Sequence, residues 1–396
     1  MISFLFLACV AYILYSYAGY PLILWLVNRI VPRSEYGRGY QPSVSLLIPA
    51  YNEEAVIKRK IENSLELDYP REKLQIIVAA DGSDDRTAEI VKDFEPLGVI
   101  LNFVPDRAGK MAAINRAVDG CTGEIIVFSD ANNFYMPDTI TELIQPFQDE
   151  LVGSTTGAKH IIEEDRAISS SEGLYWKYES AIKEYETTLG SCVSSVGEIL
   201  AVRKNLFKPA PPDTINDDQY IIFDILKRGY KNIYVPSALS LEYASPSAKD
   251  EVTRRRRISR GAFQFIFRPA LVPYNRPLEA WKILSHKFSR YFMPFVMILT
   301  FILNIGLVVF PSDGWLGWPE NWILLSAQIS FYIVGLFGNK IKLPGKIGKL
   351  AYLPTFLINS NYALMAGFFA YFKRSDGHLW KRVSRTELPA DWESGK

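Results

Sequence analysis

A chain of 396 residues exceeds the usual single-domain size and has room for a catalytic core plus a membrane part. Its 44 basic residues are balanced by 43 acidic ones, so no global field points to nucleic acid as a partner. Cys9, Cys121 and Cys192 are far apart and lack CxxC or Cys/His spacing, which argues against a disulfide framework or a zinc site and for an active domain in the reducing cytoplasm.

Residues 2–27 carry no charge and are long enough to cross a hydrocarbon core of ~30 Å. A signal peptide would need a basic n-region and a short apolar stretch, and neither is present. Residues 1–28 are therefore expected to be a retained transmembrane anchor. The soluble part, 43–245, alternates strand and helix. VSLLIPA is a continuous apolar run that predicts a buried strand, and EEAVIKRKIENSLEL has helical spacing with Val56, Ile57, Ile61 and Leu65 inward. LQIIVAA, VILNFV and EIIVFS are further strands. Ser83 with the following acids and Thr87 predicts a cap before TAEIVKDF, and KMAAINRAVDG predicts a helix closing near Gly120. Such alternation implies an α/β fold, a Rossmann-like, mostly parallel sheet with helices on both faces, and ligands at the carboxyl ends of the strands.

After the breaker PAPPDT, the segment DDQYIIFDILKRGY is helical. Residues 250–290 combine an arginine cluster with LEAWKILSHKFSR, whose Leu278, Trp281, Leu284 and Phe288 share one face while Lys282, Lys287 and Arg290 lie elsewhere, as in an interfacial amphipathic helix. The region 291–372 holds apolar runs at 291–310, 321–338 and 350–372; the last contains Pro354, Asn359 and Asn361 and reads as a span or a re-entrant segment. The lysines of NKIKLPGKIGK place that loop, and by alternation the central domain, on the cytoplasmic side, with a basic tail at 373–396.

Acidic residues stand at the strand ends. Asp81 opens DGSD, where a turn-capping role competes with accepting bonds from a uracil imide or a ribose hydroxyl. Asp130 in SDANN, with Asn132, offers hard oxygen donors to Mg2+ or Mn2+. Lys110 follows a glycine at a helix start, which suits phosphate oxygens, although the segment is not a Walker A loop. Asp217 and Asp218 are a double helix cap or include a catalytic base, Asp218 being the preferred base. Arg254 to Arg257 suit either lipid headgroups or a departing diphosphate. His160, His286 and His378 form no ligand or triad pattern.

The blocks VSLLIPAYNEEAVI, IIVAADGSDDRT, GKMAAIN, GEIIVFSDANN, EGLYWKYE, TINDDQYIIFDILKRGY and RRRRISRG, in this order, resemble the cellulose synthase-like branch of glycosyltransferase family 2 across about 43–300. That resemblance implies a GT-A type fold with interfacial and transmembrane helices. It assigns Ala50, Tyr51, Glu53 and Asp81 to the nucleotide, Lys110 to UDP, and Asp130 to metal and diphosphate as the first acid of a DxD element. Asp218 matches the base of the TED element, with Asp217 beside it, and Arg254 and Arg257 match the Q and R of QxxRW. The chain departs from the pattern in three places. Asn132 replaces the second DxD acid, Asn216 begins the TED element, and Ile258 stands where QxxRW has its tryptophan, so processive polymerisation is not implied.

The expectation is a membrane-bound inverting enzyme using a UDP-sugar and Mg2+ or Mn2+, with a glycan or lipid-linked acceptor and membrane lipid as partners; an oligomer or accessory subunit stays open. The alternative is a non-catalytic scaffold or sensor subunit of a polysaccharide assembly. A transporter fits poorly, because the spans lack ionisable residues.

Overall fold

The computed structural model describes residues 1–162, 167–243, 248–310, 319–338 and 345–373. It begins with α1 (Ile2–Leu14), a π-helical stretch at Tyr15–Gly19 and α2 (Tyr20–Asn28), whose leucines stand largely exposed, as a lipid-facing surface requires. Next comes β1 (Val44–Ala50), buried at every position. Its alternate residues serve different cores: Leu46 and Ile48 pack with the helices on one face, Leu47 with those on the other. A strand covered on both sides needs an unbroken apolar run, which is what VSLLIPA supplies.

The first face is covered by α3 (Ile57–Leu65), α4 (Thr87–Lys92) and, further on, α6 (Thr139–Ile144). Between these elements lie β2 (Leu74–Asp81), β3 (Val99–Val104), β4 (Ile125–Phe128) and the short β5 (Phe134–Tyr135). The opposite face carries α5 (Lys110–Val118) and, later, α8 (Asp217–Lys227). Strand β6 (Val152–Ile162) precedes the long α7 (Ala167–Thr188), β7 (Leu200–Arg203) precedes α8, and β8 (Lys231–Tyr243) closes the sheet.

The strand order is β3-β2-β1-β4-β7-β6-β8-β5. β1, β2, β3 and β4 pair in parallel, as do β6 and β8, whereas β4 with β7, β7 with β6, and β8 with β5 run antiparallel. The sheet is therefore mixed beyond β4, with the parallel half carrying the strand ends expected to bind ligand.

Helix α9 (Ala248–Phe267) carries the arginines and leads to α10 (Pro277–Lys282), a π-helical stretch at Ile283–Phe288 and α11 (Ser289–Val309), one continuous helical rod. Helices α12 (Glu320–Phe337) and α13 (Gly345–Lys373) complete the chain, and α13 runs as a single helix through Pro354 rather than as a re-entrant pair. Among the described residues, three segments are long and apolar enough to cross a membrane: Ile2–Asn28, Pro277–Val309 and Glu320–Phe337. The tail from 374, including His378, and most of the lysine loop used for the orientation reading lie outside the described residues.

The segment read as an interfacial amphipathic helix has its polar residues docked on the catalytic domain. Its polar side faces protein, not water: Lys282 is fully buried and donates to the carbonyls of Glu186, Leu189 and Ser191, while Leu278 and Leu284 are exposed. Sequence spacing marks two faces of a helix, and the docking against α7 decides which of them is covered.

Candidate active site

The site lies at the carboxyl ends of β1, β2 and β4. Ala50 closes β1, and Tyr51 follows it with the Arg107 guanidinium 3.6 Å from its ring centroid, a cation–π arrangement. Glu53 is buried and its N–H donates to Thr87 Oγ1 at 2.8 Å. Asp85, rather than Ser83, accepts from the Thr87 N–H at the start of α4. Asp81 ends β2 and accepts from the N–H groups of Gly109 at 2.6 Å and Ala108 at 3.1 Å, with Arg116 Nη1 3.6 Å away. That carboxylate fixes the loop entering α5, where Gly109 adopts φ 100°, a value side chains avoid, and it delivers Lys110 to the site. Ala50, Tyr51, Asp81, Arg107 and Lys110 share the lining of a small pocket.

Lys110 is the hub. Its Nζ lies 2.9 Å from Asp130 Oδ1 after β4 and 3.0 Å from Asp217 Oδ2 at the start of α8. Burial would discharge this amine, but the two carboxylates outweigh it and hold the pKa above the ordinary lysine value. Asp218, the next residue, receives a hydrogen bond from Ser195 Oγ at 2.9 Å. Burial, and then the neighbouring Asp217 charge, raise its pKa, while Ser195, the Gln219 N–H and Lys110 act against the rise. A carboxylate tuned upward in this way is suited to proton abstraction.

The arginine cluster divides by helical spacing. Arg257 is solvent-exposed on the residue average, yet its guanidinium couples electrostatically to Asp217, Asp130, Arg254 and Asp218. Arg255, on another side of α9, donates to Ser360 Oγ at 2.9 Å and lies over the Phe356 ring, both on α13. Asn216 sets the helix in place: its Nδ2 donates to the Ile258 carbonyl at 3.0 Å, and a Cβ on Gly261 would come within 2.4 Å of its side chain.

Around Asp130, the loop Ser129–Asn133 is braced from beneath. Lys60 is fully buried and donates to Ser129 Oγ and the Asn133 carbonyl, each at 2.7 Å; burial pushes its pKa down to about 7 against the opposing pull of Asp130 and Glu198. Asn132 Nδ2 donates to Glu242 Oε1 at 2.7 Å. No group of three or more His, Cys, Asp or Glu side chains able to hold a metal occurs among the described residues. One carboxylate, Asp130, with an amide oxygen from Asn132, fits a hard cation that takes its remaining ligands from water and a substrate diphosphate.

Sequence reasoning missed Ser195, Lys60, Lys159, Glu198 and Glu242, whose partners lie tens of residues away and leave no periodic signal. It also passed over His286, which is buried with Nδ1 2.8 Å from Glu186 and Nε2 3.1 Å from Glu179.

A Rossmann-like mixed sheet with a lysine between two carboxylates at its strand ends, joined to membrane-length helices, has the architecture of the GT-A class. The family model described as Glycosyl transferase family group 2 matches residues 127–365, more than half of the chain, and that described as Glycosyl transferase family 2 matches 45–207. The chain belongs to this glycosyltransferase family, and the protein is a glycosyltransferase. It is 24% identical over 304 residues to "Probable glycosyltransferase YdaM" of Bacillus subtilis, spanning 71% of this chain and 69% of that protein. It is 31% identical over 143 residues to the beta-monoglucosyldiacylglycerol synthase of Trichormus variabilis, covering 35% of this chain and only 29% of the relative. In fold it is similar to the mannosyltransferase PcManGT from Pyrobaculum calidifontis, solved in complex with GDP-Man and Mn2+, at a TM-score of 0.74 and 20% identity over 95% of this chain and all of that one.

Proposed function

We propose that the protein is a membrane-bound inverting glycosyltransferase of the cellulose synthase-like branch. It moves a sugar from a UDP-sugar, with Mg2+ or Mn2+, onto a glycan or lipid-linked acceptor at the cytoplasmic face. The observation that carries this reading is the convergence of Lys110, Asp130, Asp217 and Asp218, with Arg257 coupled to them, at the ends of β1, β2 and β4.

In this reading Ala50, Tyr51, Glu53 and Asp81 form the nucleotide end of the cleft, and Arg107 stacked on Tyr51 shapes its wall. Asp130 and Asn132 would hold the cation, which when bound would supply positive charge to the leaving diphosphate. Lys110 moves from its carboxylate partners to diphosphate oxygens, and Arg254 with Arg257 closes over the same charge. Asp218 takes the proton of the acceptor hydroxyl as that oxygen attacks the anomeric carbon. A lipid-linked acceptor suits a site joined to membrane-length helices, and the similarity to the beta-monoglucosyldiacylglycerol synthase supports it.

Detergent-solubilised protein is incubated with UDP-sugars and GDP-mannose, with Mg2+, Mn2+ or EDTA, and nucleoside diphosphate release is measured. Release from at least one UDP-sugar, abolished by EDTA and reduced about 10²–10⁴-fold in Asp218→Asn, is expected. Equal rates in wild type and variant would remove Asp218 as the base, and release from GDP-mannose alone would overturn the UDP assignment.

A further inference from the structure

The departure at Asn132 has a structural counterpart on β8. Glu242 forms an ion pair with Lys159, whose side chain is only 3% exposed. Lys159 also lies 2.9 Å from Glu198, which in turn accepts from Ser240 Oγ at 3.0 Å. Ser240 Oγ is bonded by Asn133 Nδ2 at 2.7 Å, so the network returns to the loop that carries Asp130.

The Glu242 carboxylate lies between the Lys159 amine and the Asn132 amide. The Asn132 amide presents its NH2 to Glu242 at 2.7 Å, and Oδ1 takes no part in that bond. An aspartate at 132 would set two carboxylates against each other at that distance. The amide at 132 and the acid at 242 are thus a matched pair.

We propose that Glu242 is a positioning residue for the cation site. It fixes the Asn132 amide so that Oδ1 serves as the second hard oxygen beside Asp130, and it places the second carboxyl group of the site one hydrogen bond behind that ligand. The inference rests on the metal-dependent reading above. Carboxylates behind a ligand orient it and raise its basicity, and their loss commonly costs about 10–100-fold in metal affinity.

The chemistry of a glutamine at 242 makes the inference sharp. Lys159 demands an oxygen, so the Gln Oε1 turns to Lys159 and its NH2 turns to residue 132. Asn132 must then flip, aiming its own NH2 where the cation would sit. An aspartate at 132, by contrast, accepts readily from that Gln NH2.

Mn2+ binding to the full-length solubilised protein, without donor, is followed by loss of the free-ion electron paramagnetic resonance signal, with thermal unfolding as a second readout. Glu242→Gln and Asn132→Ala should each weaken Mn2+ binding about ten-fold or more. Asn132→Asp alone should unfold at lower temperature, and the double variant Asn132→Asp with Glu242→Gln should recover both stability and Mn2+ affinity. Wild-type binding that Glu242→Gln leaves unchanged, or that Asn132→Ala leaves unchanged should the former not fold, overturns the inference alone. No Mn2+ binding by wild type at millimolar concentration overturns the metal-dependent reading and the inference with it.

Discussion

In the proposed reading Asp218 is the base, and its tuning is a balance at one carboxylate: burial and Asp217 push its pKa up, and Ser195, the Gln219 N–H and Lys110 restrain it. A base works only when deprotonated, so activity should fall as pH drops through the raised value. In Ser195→Ala the first of these restraints is gone, and the acid limb of kcat/KM should move to higher pH; Ser195→Thr, which keeps the hydroxyl, should leave it in place. A pH–rate profile on the three proteins checks this, and an unmoved limb in the alanine variant would mean that Ser195 does not govern the base. Single positions were the level at which the sequence spoke most clearly. Asp81, Lys110, Asp130, Asp217 and Asp218 were legible because strand-terminal acids after apolar runs and a lysine at a helix start carry local signatures. Lys159, Glu198 and Glu242 were not, because a buried ion pair across β6, β8 and the turn before β7 depends on which strands become neighbours.

At the level of elements, β1 and β3 fall where their apolar runs predict, and α5 and α8 start at the predicted lysine and aspartate. The switch to antiparallel pairing beyond β4 was not foreseen, since β7 and β5 are too short, at four and two residues, to declare a direction. Helix α9 illustrates how an element aims side chains: it is held by Asn216, and only a glycine at 261 allows that approach. In Gly261→Ala the added methyl would drive into the Asn216 side chain, and overpacking of this kind costs about 1–3 kcal/mol, offset by up to about 1 kcal/mol of helix propensity. The expected outcome is a modestly lower Tm with a larger loss of activity, because Arg254 and Arg257 ride on α9. Thermal unfolding and nucleoside diphosphate release measured on the same preparation separate the two effects.

For the whole molecule, the decisive feature is how catalytic domain and membrane segment are locked together. Tyr20 of α2 donates to Glu186 of α7 at 2.5 Å, His286 bridges Glu186 and Glu179, and Arg290 pairs with Glu179. Tyr12, Tyr15 and Ser16 bond Ser285 or Ser289 along the same seam. Burial would raise both glutamates, but Arg290 and His286 hold Glu179 well below its usual range, and His286 holds Glu186 below it. Folded values depressed in this way contribute stability that is present above the unfolded glutamate pKa of about 4.3 and lost as pH falls through the lower folded values. Tm should therefore drop steeply below about pH 4.3. His286→Gln should lower Tm at neutral pH and flatten that acid dependence, since removing one partner of a buried ionic cluster costs about 3–5 kcal/mol. Scanning Tm against pH for both proteins tests the lock. Its members sit far apart in the chain, which is why the spacing within Leu278–Arg290 did not reveal their partners.

The same convergence makes a stereochemical demand. In the proposed reading a single base opposite the leaving diphosphate permits one direct displacement, so an α-configured UDP-sugar must give a β-linked product. The linkage of the first-formed product, read by nuclear magnetic resonance from its anomeric coupling constant, should be β. An α-linked product would require two displacements and would contradict Asp218 as the sole base of a direct transfer.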